Sequence, residues 1–315
     1  MLIEVVVITI FATIVFATSS IYGRYMILEV ENSYHFYLYQ TFMSLGVLLL
    51  LNAIFLLFQI IEIDFISVDN WIIIIGSSIF AFLGFLTLFR GFEVGNVTVG
   101  GVFLSSRVLV SIPLAVILFG EIYPTLTYVF ILISLIGAFM TSYQKDISFI
   151  RIVTFRSSGS NWFIITLVFW AISNSFVREL NNEVNPFLFL LIRVIIFSVL
   201  AFLTFPLFKK IFAEGRQMKI NRRIVMHTFF YIIVLIIAQS SFIFALGHNL
   251  TIAEGLGILE GVFTFIFVMA LAKTKFFKNY LFEPIDRKTL TVRTIGVILA
   301  FIGTAGALSQ IIGLV

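Results

Sequence analysis

Cysteine is absent from the 315-residue chain, and charged residues are scarce. Without cysteine the protein has no disulfide, no thiolate metal ligand and no cysteine nucleophile. Charged residues make up 11% of the chain, compared with about 25% in an average soluble domain. This composition excludes a soluble globular domain and predicts an integral membrane protein.

Histidine is also rare, and its spacing argues against enzyme chemistry. His35, His227 and His248 lie far apart without a neighbouring acidic pair, so the metalloprotease spacing is missing and no metal or other cofactor is expected. No Ser–His or paired-Asp arrangement lies at a matching depth, which leaves an intramembrane enzyme with weak support. The basic residues fall in separate loops, so the net charge of +4 indicates loop orientation rather than a nucleic-acid-binding surface.

Apolar stretches of about 17 to 25 residues, long enough to cross the bilayer as helices, dominate the sequence. The ten predicted spans are residues 3–22, 34–61, 71–89, 97–119, 125–142, 161–177, 186–207, 227–246, 251–272 and 293–312. The first of them follows neither a basic region nor a cleavage site, so we expect it to remain in the mature protein. We therefore predict an all-α integral membrane protein with ten transmembrane helices.

The distribution of Lys and Arg tests this count. With ten spans, the odd-numbered connections share one side of the membrane and carry seventeen of the 20 basic residues, whereas the other side carries only Arg178. The positive-inside rule then places the odd connections in the cytoplasm and both termini outside the cytoplasmic membrane. A miscounted span would mix the charges between the two sides, so their separation also supports ten.

The two halves of the chain match each other at an offset of 153 residues. The matched pairs are Asn96 with Asn249, Thr98 with Thr251, Arg107 with Glu260, and Gln40 with Arg193. A repeat with an odd number of crossings must be inverted in its second copy, and inverted repeats are a recurring plan of secondary transporters, with the substrate site near the midplane. We predict one membrane domain, with a five-helix repeat in residues 1–145, a cytoplasmic linker at 146–160 and the inverted repeat in 161–315.

Several short motifs follow one another in a characteristic order. They are the helix pattern Trp170 to Arg178, the run Gly95 to Gly100, the ending Phe119-Gly120-Glu121, and the Gly-rich helices around Gly137 and Gly303. In these motifs nearly the whole chain resembles the drug/metabolite transporter superfamily, specifically its ten-helix EamA-type group. The resemblance implies export or exchange of small metabolites, such as amino acids, across the cytoplasmic membrane.

The chain departs from this family in three places. Gln40 stands where the second helix often carries Arg, residues 272–274 read Ala-Lys-Thr in place of Gly-Glu, and the termini are predicted outside. Members of the family are usually described with cytoplasmic termini.

Two charges are expected near the middle of the bilayer. Arg107 and Glu260 each lie about ten residues into their spans, at equivalent repeat positions. An isolated charge at this depth costs at least about 2.5 to 3.5 kcal/mol on insertion scales, so each should face the protein interior. We expect them to be partners, with Arg107 binding a substrate carboxylate and Glu260 binding an amine or taking up a proton that couples transport. The alternative is a permanent ion pair that holds the two halves together.

Four further residues are candidates for the walls of a substrate pathway. Arg193 and its counterpart Gln40 are predicted to line the outer mouth, unless Arg193 extends to the membrane interface. Trp170 and Asn174 share one face of the sixth helix, which suits a cavity wall, with a lipid-facing Trp170 as the alternative.

Other polar and helix-breaking residues lie around these charges. Ser106 and Gln239 supply hydrogen-bonding groups at depth, or bond only to their own helices. Pro113 predicts a bend in the fourth helix just past Arg107, which is either a hinge for a rocking motion or static curvature. Glu121 lies at a membrane boundary, where we expect it to be solvated, with a gating role as the alternative.

The sequence as a whole predicts a secondary active transporter of a small organic metabolite, such as an amino acid. Transport would proceed by alternating access around a midplane site between the two repeats, with coupling to protons as a hypothesis and the lipid bilayer as the surroundings. A non-transporting receptor or scaffold is the alternative, and an intramembrane enzyme is less well supported because the catalytic arrangements are missing.

Overall fold

The computed structural model describes residues 2–30, 33–61, 66–95, 97–141, 143, 159–180, 183–212, 222–271, 274 and 287–312. Within these ranges the chain forms twelve helices: α1 (Leu2–Val30), α2 (Ser33–Leu57), α3 (Val68–Val94), α4 (Val97–Ser105), α5 (Val108–Phe119), α6 (Thr125–Thr141), α7 (Ser160–Glu179), α8 (Pro186–Phe212), α9 (Arg222–His248), α10 (Leu250–Gly257), α11 (Leu259–Leu271) and α12 (Arg287–Ile312). Two predicted features lie outside the described residues: residues 146–158 of the linker, and Asn96 of the repeat.

Most of these helices are long and apolar enough to cross a bilayer. In the described part of the chain, eight helical spans meet this criterion by length and composition, and two shorter apolar segments, Phe103–Phe119 and Thr125–Thr141, accompany them. The predicted all-helical, multi-pass architecture is confirmed at this level. The number ten and the inversion of the repeats stay predictions.

Several helices run beyond the predicted spans. The first extends to Val30, eight residues past its predicted end, and the third extends to Val94. Hydropathy marks only the part of a helix that lies in hydrocarbon, whereas hydrogen bonding continues the helix into the polar boundary. These extensions carry Arg24, Glu29 and Arg90 at the ends of the bundle.

The fourth and ninth spans, each predicted as one continuous helix, are interrupted. Ser106 and Arg107 separate α4 from α5, and their amides donate to the carbonyl oxygens of Phe103 (3.1 Å) and Leu104 (3.2 Å), in three-residue turns. Ile258 separates α10 from α11. Pro113 lies inside α5, and the interruption falls six residues before it, at Arg107. The hinge at Pro113 stays a prediction.

The interrupted helices cross at two glycines. A Cβ on Gly101 would lie 3.2 Å from the Cα of Gly261, so α4 and α11 pack backbone to backbone. Ser105 bridges the second interruption, since its hydroxyl donates to the carbonyl of Ile258 (2.8 Å) and accepts from the amide of Gly261 (3.2 Å). Backbone groups released inside a membrane protein need such partners.

A second close crossing joins α6 and α12. A Cβ on Gly137 would lie 2.3 Å from the amide nitrogen of Ala300, and one on Gly303 would lie 2.3 Å from that of Ser134. Gly137 and Gly303 are counterparts at an offset of 166 residues, and so are Ser134 and Ala300. Each contact is thus the counterpart of the other, which is the pattern that a two-fold axis produces.

Candidate functional site

A cavity of about 40 Å³ lies between the helices and is lined by residues of α1, α3, α7, α8, α9 and α11 and by Arg107 at the first interruption. Six of the eight predicted site residues line it: Arg107, Glu260, Arg193, Trp170, Asn174 and Gln239. Gln40 and Ser106 are buried but do not line this cavity, so their role at the site stays a prediction. Gln40 lies on α2, which packs against α8 and α3, whereas Ser106 lies within the turn of the interrupted helix.

Arg107 forms a buried ion pair with Glu254. Its Nε lies 2.6 Å from Oε2 of Glu254, and the two side chains are 5% and 1% exposed. Oε1 of the same carboxylate accepts a hydrogen bond from Asn174 Nδ2 (2.6 Å). The predicted pairing of Arg107 with Glu260 is therefore wrong. The repeat comparison matches depth, but the guanidinium of Arg107 lies beside α10, where a Cβ on Gly257 would be 3.4 Å from its Nη2.

Glu260 lies in the first turn of α11 and lines the cavity. It is 3% exposed and accepts a hydrogen bond from the Ser20 hydroxyl of α1 (3.2 Å). Within the described residues it belongs to no ion pair.

Arg193 lies in the cavity wall rather than at the membrane interface. Its side chain is buried, and Nη2 donates to the hydroxyls of Ser77 (2.5 Å) and Ser173 (3.4 Å). The guanidinium carbon lies 4.4 Å from the ring centroid of Phe189. These neutral groups hold the head group inside the bundle, so the interface alternative for Arg193 is wrong.

Aromatic rings form much of the remaining wall. The Arg107 guanidinium carbon lies 5.6 Å from the Trp170 centroid and 5.4 Å from the Phe242 centroid, within cation–π range. Trp170 packs edge-on against Phe85, with ring centroids 5.1 Å apart, and lies where a Cβ on Gly84 would be. Trp170 thus faces the cavity.

A polar cluster closes the end of the bundle that is predicted to face outward. Glu121 is 9% exposed, and its Oε1 lies 2.8 Å from Arg178 Nε. Its carboxylate also accepts from the amides of Leu250 (3.2 Å) and Thr251 (2.8 Å), at the first turn of α10. The prediction of a solvated Glu121 is wrong, because a helix N-terminus and an arginine compensate its buried charge.

Asn249 caps the N-terminus of α10. Its Oδ1 accepts from the amide of Ile252 (2.8 Å), and its Nδ2 donates to the hydroxyl of Tyr123 (2.6 Å). The same polar cluster is thereby joined to the loop between α5 and α6.

Glu254 and the pairing of Glu121 with Arg178 are features of the candidate site that the sequence predictions missed. A carboxylate within an apolar span is itself a signal of a functional site, and Glu254 meets that criterion. The repeat comparison passed over it because its counterpart at the same offset is Gly101.

The apolar spans and the buried polar cavity define an integral, multi-pass membrane protein. Residues 3–143 match the model of the EamA-like transporter family, which confirms the resemblance over that part of the chain and indicates a transporter of the drug/metabolite type. No curated protein matches the chain. One solved structure, described only as "Crystal structure of protein", superposes with a TM-score of 0.67 at 14% identity, and the alignment covers 96% of this chain and 95% of that one. At that identity the likeness shows the fold alone.

Proposed function

We propose that the protein is a secondary active transporter that exports or exchanges a small organic metabolite, such as an amino acid. The observation that carries this proposal is a single cavity with buried groups of both charges, next to the points where two membrane helices are interrupted. Interrupted helices form the midplane substrate sites of many secondary transporters.

Alternating access around this cavity is the mechanism that we propose. The interruption at Ile258 falls within two residues of the position that is equivalent to Arg107 at the offset of 153 residues. At the crossing of α6 and α12, the contact of Gly137 with Ala300 is equivalent to the contact of Gly303 with Ser134. Both features support two inverted repeats, residues 1–145 and 161–315, that rock against each other. The cavity is lined from both of them.

Polar contacts at both ends of the bundle would act as alternating gates. At the end that we propose to be extracytoplasmic, Glu121 holds Arg178 and α10. At the opposite end, Arg24 donates to the carbonyl of Gly95, and Glu93 accepts from Ser33 (2.5 Å). Opening either side requires one of these groups of contacts to separate while the other remains.

Glu260 is the proposed site of proton coupling. It is a buried carboxylate in the wall of the substrate cavity, bonded to a neutral hydroxyl. A proton that arrives from one side and leaves to the other with each rocking cycle would link solute movement to the pH gradient.

The test is counterflow in proteoliposomes against a panel of amino acids and small metabolites, with and without a pH gradient. We expect saturable exchange of at least one member of the panel, accelerated by the gradient. Solute binding without translocation would refute the proposal and favour the receptor alternative.

A further inference from the structure

Arg193 brings a positive charge into the cavity wall without a carboxylate to balance it. The guanidinium stays protonated at any physiological pH, and its side chain is 6% exposed. Its contacts are the hydroxyls of Ser77 and Ser173 and the ring of Phe189, all of them neutral. In the described part of the chain no ion pair includes Arg193, and its Nε has no hydrogen-bond partner.

The other cavity arginine is in the opposite situation. Arg107 is neutralised by Glu254, and Asn174 holds the second oxygen of the same carboxylate. The remaining cavity carboxylate, Glu260, bonds to Ser20. An entering anion would have to displace Glu254 to reach Arg107, whereas at Arg193 no carboxylate of the described residues stands in its way.

We propose that Arg193, and not Arg107, is the anion subsite of the transport cavity, so that the cargo carries a carboxylate. This inference rests on the proposed transport function and specifies its substrate class. Burying an uncompensated charge is costly, and a bound carboxylate supplies the missing counter-charge together with an acceptor for the unpaired Nε. The aromatic rings of Phe85 and Trp170 line the same cavity and would contact an apolar part of the cargo.

The first test measures the thermal unfolding of the purified protein without ligand. Arg193→Gln should raise the unfolding temperature, because it removes an uncompensated buried charge. Arg107→Gln is the matched control and should lower it, because it leaves Glu254 buried without its partner. If the unfolding temperature falls in both variants, Arg193 stabilises the protein through its hydrogen bonds to the two serines, and the inference is overturned.

The second test measures binding as ligand-induced thermal stabilisation. The probes are phenylalanine and 3-phenylpropionate, each compared with its uncharged primary amide. Both carboxylates should stabilise the wild-type protein and bind at least tenfold more weakly to Arg193→Gln, while the amides stabilise neither. Arg193→Lys keeps the charge without the planar donor fork, so it should retain the preference for carboxylates at reduced affinity, and it serves as the reference where the Gln variant does not fold.

Equal stabilisation by carboxylate and amide, or no stabilisation by either carboxylate, would overturn the anion subsite. The proposed function has a separate readout in counterflow. Carboxylate-selective binding that depends on Arg193 without counterflow would support the subsite and refute transport. Counterflow that is indifferent to solute charge and to Arg193→Gln would support transport and refute the subsite.

Discussion

Removing the Glu254 carboxylate should destabilise the protein far more than removing a neighbouring one. In Glu254→Gln the guanidinium of Arg107 remains buried without its counter-charge, since both side chains are at most 5% exposed and solvent screening is slight. Breaking a buried ion pair from one side costs about 3–5 kcal/mol. At about 1.4 kcal/mol per factor of ten, the unfolding equilibrium should shift by roughly two to three and a half orders of magnitude. Reversible unfolding in detergent or bilayer measures the shift.

Glu260→Gln is the matched control, because it makes the same chemical change six residues further on. Glu260 is equally buried but bonds only to the Ser20 hydroxyl among the described residues, so the loss should be about 0.5–1.5 kcal/mol. The double variant Arg107→Gln/Glu254→Gln should recover most of the stability that either single variant loses. Equal effects of Glu254→Gln and Glu260→Gln, or additive effects in the double variant, would refute the assignment of the ion pair.

Three further predictions concern transport, gating and packing. Glu260→Gln should fold but lose acceleration by a pH gradient, while counterflow without a gradient persists; an unchanged pH dependence of transport would contradict proton coupling. A cysteine placed at Ala81 in the cavity wall can be labelled by an impermeant thiol reagent, and the chain has no native cysteine to interfere. Glu121→Gln should increase the rate of this labelling several-fold; an unchanged rate would argue against a gate. Gly261→Ala should lower stability by about 1–3 kcal/mol, since its Cβ would lie 2.7 Å from the Ser105 hydroxyl. Gly46→Ala, which meets nothing within 4 Å, should not destabilise in the same unfolding measurement.

Features that solvation controls are predicted well by the sequence. Apolar stretches identify the membrane helices because hydrocarbon excludes unpaired backbone and charge. The same cost makes intramembrane polar residues reliable markers, which is why Arg107, Glu260, Arg193, Asn174 and Gln239 all line one cavity. These predictions need only depth in the membrane, and depth is proportional to distance along a helix.

The features that the sequence did not predict depend on contacts between helices. The interruption at Ile258 contains no proline, and Ser105 of another helix satisfies the released backbone groups. Glu121 is buried rather than solvated because Arg178 and the first amides of α10 meet it. Periodicity and hydropathy describe one helix at a time, so they cannot predict which residue of another helix a polar group will contact.

The residues that distinguish the two proposed repeats are those that make the cavity polar and asymmetric. Glu254 has Gly101 as its counterpart, and Arg193 has Gln40. Two identical halves would present the same charges twice, and such a site would suit a solute that is itself two-fold symmetric. The second half supplies both the carboxylate that neutralises Arg107 and the cation that nothing in the described chain neutralises, so the charges around the cavity are not symmetric. A solute with a carboxylate at one end is the kind of cargo that such an arrangement can hold in a single orientation.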